Sequence, residues 1–139
     1  MSLTTGHLAL AVFSVIVFPA VVFNTEAMAE KADYVQSGNE ALQHGRYLWL
    51  ENCEGCHGYG IADAPIPMQP DEWKHRVIKD RVLLYKHAIE GFIGEDYSMM
   101  PARGGNEKLN DEQVKAAVDY MLFLANFYIK RQENQRGDL

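Results

Sequence analysis

The chain has 139 residues, a formal net charge of −6 and only two cysteines. At this length one domain is expected, and the acidic balance argues against nucleic acid as a partner. The cysteines lie three positions apart, so a disulfide between them would constrain little chain. An acidic surface suits a soluble carrier whose partner offers a basic docking patch.

Leu8 to Phe23 is an almost unbroken apolar run, and Ala27-Met28-Ala29 forms an A-x-A cleavage signal before Glu30. The leading residues 1–7 lack the Lys or Arg that a signal peptide normally carries. The run is interrupted by Pro19 and is short for a membrane span, which needs about 20 residues. Residues 1–29 therefore read as a signal peptide, with an uncleaved membrane anchor as the alternative. Either one exports the chain, so the expected location is periplasmic. Residues 30–37 read as a flexible polar leader.

A helical pattern begins at Gly38. Leu42, Gly45, Leu48, Trp49 and Asn52 recur at three- and four-residue steps. A glycine inside a helix costs about 1 kcal/mol relative to alanine. Gly45 therefore suggests close approach by another helix; an incidental glycine is the competing reading.

The next five residues are Cys53-Glu54-Gly55-Cys56-His57. This is C-x-x-C-H, the signal for covalent attachment of c-type haem. The thiols add to the haem vinyl groups, and one short turn presents both sulfurs to one porphyrin edge. The adjacent imidazole then ligates the iron. A zinc site would need four ligands, and no second knuckle exists. A thioredoxin-like pair would want a βαβ pattern, which is not visible.

Gly58, Gly60, Pro65, Pro67 and Pro70 mark a loop. A ligating histidine needs a partner for its other ring N–H, and the Pro65 carbonyl is the expected one. Residues 71–80 read as a short polar helix or turn. In it, Trp73 and Arg76 carry donors suited to a haem propionate. Residues 80–92 read as a helix with a broad apolar face (Val82, Leu83, Tyr85, Ala88, Ile89, Phe92), ended by Gly91 and Gly94. His44, His75 and His87 read as ordinary helical or surface histidines.

Ser98-Met99-Met100-Pro101-Ala102-Arg103-Gly104-Gly105 is a constrained loop rather than a helical stripe. A thioether is a soft ligand, and Met/His ligation raises the potential of haem iron. Met100 is the expected distal ligand, Met99 the fallback and Met68 the weaker candidate. The last helix opens on Asn110 with Gln113 three residues later, a capping-box-like pair. Val114, Val118, Met121, Leu122, Ala125 and Ile129 line one face. Tyr120, Phe123 and Phe127 lie roughly opposite, facing either the first helix or an exposed partner or membrane surface. Residues 131–139 read as a polar tail that frays.

The chain resembles class I bacterial cytochromes c, most closely the cytochrome c5-like branch. The residues that carry the resemblance are Gly45, Trp49, the Cys53–His57 motif, Ala64-Pro65, Trp73 with Arg76, Leu84-Tyr85, Ala88, Gly91-Phe92, Met100-Pro101, Gly104-Gly105 and Ala117–Met121. They span residues 38–123 of an expected domain at 38–130. The resemblance implies an all-α class I cytochrome c fold, one haem wrapped by about four helices with the first and last crossing. It implies haem c as cofactor, held by Cys53 and Cys56, with His57 and Met100 on the iron and the Pro65 carbonyl behind His57. The implied work is single-electron transfer without substrate chemistry. Partners would be a membrane cytochrome complex, a terminal oxidase or an exported dehydrogenase. The extra cysteine pair of some c5-like proteins is absent, and the last helix continues as an apolar run to Ile129. Two further readings stay open: a fixed haem subunit of a membrane complex, held through residues 8–23 or the C-terminal helix, and an open-site haem enzyme or gas sensor.

Overall fold

The computed structural model describes residues 34–94 and 97–137. The apolar run, the cleavage signal and the first half of the leader lie outside the described residues. The elements are α1 (Glu40–Asn52), the one-turn α2 (Glu54–His57), α3 (Pro70–Trp73), α4 (Arg81–Glu90), strands β1 (Phe92–Ile93) and β2 (Met99–Met100), and α5 (Asp111–Gly137). Short 3-10 turns lie at Ile61–Asp63 and Ala102–Gly105. Among the described residues the fold is all-α apart from one small antiparallel hairpin, in which Phe92 pairs with Met100 and Ile93 with Met99.

Local chemistry sets the helix ends. The Asn39 side chain accepts from the amides of Ala41 and Leu42, which caps α1. Pro70 stands at the first turn of α3, where its missing N–H leaves nothing unsatisfied. At the start of α5, Asn110 and Gln113 exchange reciprocal side-chain to backbone bonds, each 2.9 Å, a complete capping box.

Helices α1 and α5 cross at Gly45. A Cβ there would lie well inside contact distance of the Ala116 carbonyl and 3.2 Å from Cβ of Tyr120. The glycine is therefore a packing requirement. One turn on, the buried Trp49 meets Tyr120 at 5.7 Å between ring centroids, and its indole N–H points at the Met121 sulfur, 3.2 Å away. Val114, Val118, Met121, Leu122, Ala125 and Ile129 are all buried, as the periodicity of α5 predicts. Tyr120 is also buried, whereas Phe127 is exposed.

Three expectations need correction. The leader is not loose at its end: Tyr34 is buried edge-on against Trp49, and the Val35 carbonyl accepts from the Tyr120 hydroxyl. Helix α4 does not bury a broad face. Ala88 is its buried residue, while Val82 is 69% exposed; the helix is fastened to α5 by polar contacts, with Tyr85 donating to Asp119 at 2.6 Å. Residues 131–137 do not form a separate tail but continue α5. Among the described residues, no helix is long and apolar enough to cross a membrane.

Replacing Gly45 by alanine forces α1 and α5 apart. Overpacking of this kind typically costs about 1–3 kcal/mol, sometimes more. Denaturant titration of the holoprotein should show a loss of at least that size; an unchanged midpoint would mean the helices do not meet at Gly45.

Candidate functional site

Between α1, the Pro65 loop, α4, the hairpin and α5 lies a cavity of about 700 Å³, within the range of cofactor pockets. All seven residues singled out in the sequence line it: Cys53, Cys56, His57, Pro65, Trp73, Arg76 and Met100. Distant parts of the chain are thus brought together: the haem motif, the Met-Pro loop, and Val118, Met121 and Leu122 of α5.

The one-turn α2 places both thiols and the imidazole on this wall. His57 is buried, and its Nδ1 lies 3.0 Å from the Pro65 carbonyl. A carbonyl only accepts, so Nδ1 carries the proton and Nε2 is left with its lone pair. Burial lowers the basicity of the ring, and the nearby Arg76 guanidinium adds to that against the opposing Pro65 bond. The ring is thereby kept in the neutral form that a metal ligand requires. The Pro65 carbonyl is itself held in place: the neighbouring Ile66 amide donates to Glu72 of α3 at 2.7 Å.

Neither cysteine is in a disulfide. Burial, followed by the neighbouring Cys56, pushes the Cys53 thiol up to about 11. Redox-active C-x-x-C pairs instead carry a lowered thiol. Between the cysteines, Glu54 is buried and accepts from Tyr34. The leader's end is therefore tied to the haem-attachment turn.

On the far side, Met100 is partly buried and lines the cavity from β2. Met99 is 68% exposed, at the cavity mouth. Met68 packs against the core away from the cavity lining. Trp73 Nε1 is buried without a hydrogen-bond partner. An orphaned indole donor on a cavity wall calls for an acceptor inside the cavity, and a haem propionate is such a group. Arg76 is partly engaged, donating to the Glu72 carbonyl and lying 2.8 Å from His75 Nε2.

The sequence reading missed several residues of this wall. His75, Lys79 and His87 also line the cavity, and His87 stacks on Phe92 at 4.2 Å. Only the three-dimensional approach of the turn after α3 and of α4 reveals them. Asn52, from the periodic face of α1, and Gly104, from the Met-Pro loop, line it as well.

Two vinyl-reactive thiols, a neutral imidazole with a free nitrogen and an unmet indole donor fit a haem, and an all-α chain built around such a pocket is a c-type cytochrome. The chain belongs to the cytochrome family whose model is described as cytochrome c oxidase, cbb3-type, subunit III, which matches residues 40–121. It is similar to cytochrome c-555 of Prosthecochloris aestuarii, at 34% identity over 84 residues, covering 58% of this chain and 85% of the relative. Cytochrome c-555 of Chlorobaculum tepidum is 37% identical over 78 residues, 56% of this chain and 71% of the relative. That of Chlorobaculum thiosulfatiphilum is 36% identical over 78 residues, 56% and 90%. The class I resemblance therefore holds: the protein is a monohaem c-type cytochrome, its cofactor is covalent haem c with its iron, and its work is electron transfer.

Replacing Trp73 by phenylalanine keeps the ring and removes the donor. A hydrogen bond to a carboxylate holds its pKa down, and one such bond is worth about one pKa unit. In Trp73→Phe, the propionate-linked inflection in a plot of midpoint potential against pH should move upward by about one unit. An unmoved inflection would detach Trp73 from the propionates.

Proposed function

We propose that this cytochrome shuttles single electrons between exported or membrane-bound redox proteins, with His57 and Met100 as the axial ligands and Cys53 and Cys56 as the thioether anchors. The observation that carries the reading is the His57–Pro65 bond. It aims Nε2 at the same cavity that Met100 faces from the opposite loop. Haem c supplies a one-electron iron couple of moderately positive potential when held by an imidazole and a thioether.

The chain's own residues do the rest. Pro65 fixes the tautomer and tilt of the His57 ring. Val118, Met121 and Leu122 keep the pocket apolar, which disfavours added positive charge and holds the potential up. With His57 and Met100 both holding the iron, no site would be left for substrate, and the protein would act as a carrier rather than an enzyme. Cys56, Ile61, Phe92 and Met99 stand at exposed positions on the cavity lining. This rim is where a partner reaches the haem edge through a small, short-lived contact of the kind redox encounters use. A membrane cytochrome complex, a terminal oxidase or an exported dehydrogenase fits that role, in the periplasm.

The purified protein should give a low-spin spectrum, a weak far-red sulfur-to-iron band when oxidised, and no response to carbon monoxide. Met100→Ala should lose the far-red band and bind carbon monoxide, while Met99→Ala keeps the band. A high-spin parent that binds carbon monoxide would replace the carrier with an open-site enzyme or sensor. Separately, Cys53→Ser and Cys56→Ser should each leave one vinyl group unsaturated. The reduced pyridine-haemochrome band would then shift to longer wavelength; an unshifted band in either variant would remove that cysteine from the attachment.

A further inference from the structure

The loop that follows Met100 holds an unfavourable backbone shape. Arg103 has φ +56° and Gly104 has φ +65°. Glycine accepts this region freely, whereas an arginine is strained in it and persists only where its surroundings over-determine it. The Arg103 guanidinium supplies that. One nitrogen donates to the Leu109 carbonyl at 2.9 Å, and the other reaches Asp111 Oδ1 at 2.7 Å. The Arg103 side chain is only 26% exposed, while Asp111 is 55% exposed, so the guanidinium is sheltered and its carboxylate partner faces solvent. These bonds bolt the loop to the start of α5.

A second fastening joins the loop to the other side of the site. Asn106 Nδ2 donates to Asn52 Oδ1 at 2.7 Å. Asn52 Nδ2 in turn donates to the Leu48 carbonyl, which fixes its rotamer. Asn52 is the last residue of α1 and precedes Cys53. Gly104 lies flat on the Asn52 carbonyl, since a Cβ there would come within 3.0 Å of that oxygen. Upstream, Met100 is paired with Phe92 in the hairpin. The proposed ligand thus sits between a hairpin on one side and two polar fastenings on the other.

We propose that Arg103 and Asn106 are positioning residues that latch the Met100 loop, and that this latch sets how often outside ligands can reach the sixth position on the iron. The proposal rests on the reading of Met100 as a ligand. Neither residue needs to touch the iron; each acts through the loop.

The test is the binding of imidazole to the oxidised holoprotein by stopped-flow spectroscopy. At saturating imidazole the rate levels off at the rate of loop opening. In Arg103→Ala and Asn106→Ala, the plateau should rise about 10–100-fold, the size expected for losing one or two hydrogen bonds of which some are charge-assisted. Haem attachment and helical circular dichroism should stay unchanged. Asp111→Asn, at an exposed position that leaves the Leu109 bond intact, should give a smaller rise and serves if Arg103→Ala does not fold. Arg103→Lys should recover part of the parent rate. Plateau rates within twofold of the parent, with the far-red band intact, would overturn the latch alone. A parent without the band that takes up carbon monoxide at once would overturn the Met100 reading and the latch with it.

Discussion

The crossing of α1 and α5 at Gly45 is the constraint on which the other contacts rest. Only a residue without Cβ lets the backbone of α1 seat on the Ala116 carbonyl. That approach brings Trp49 against Tyr120 and Met121, and Tyr34 and Val35 then close over the same junction. Beyond the crossing α1 ends at Asn52, where the haem-attachment turn begins. A shift of the crossing would move Cys53, Cys56 and His57 together relative to α5, which forms much of the facing wall.

The two sides of the pocket are built differently. The His57 side is a single helical turn, stiffened by a relay from Glu72 through Ile66 and Pro65 to the imidazole. The Met100 side is a loop held at its ends, by a two-residue hairpin and by side chains borrowed from α1 and α5. A fastened loop has a definite closed shape while retaining a way to open.

Much of this was legible in the chain because its signals are local. The C-x-x-C-H spacing, the Asn110–Gln113 box and the apolar stripe of α5 each lie within a turn or two of sequence. Even Gly45 announced itself, because a glycine in a helix needs a reason. The Pro65 carbonyl followed from what a histidine ligand requires. The rest depended on contacts between distant residues. Asn52 and Asn106 are 54 positions apart, Tyr34 and Trp49 meet across the leader, and the hairpin strands are too short to show alternation. Helix α4 misled because its apolar residues suggest a buried stripe, whereas Tyr85 and Arg81 hold it through Asp119.

The size of the pocket bears on how the molecule is made. A hollow of about 700 Å³ is large for a unit spanning residues 34–139. Left unfilled, a hollow of that size would leave the apolar side chains of Val118, Met121 and Leu122 facing water. The prosthetic group is therefore a piece of the hydrophobic core as well as the redox centre. Losing the group would thus strip the domain of interior packing as well as of its electron-carrying centre.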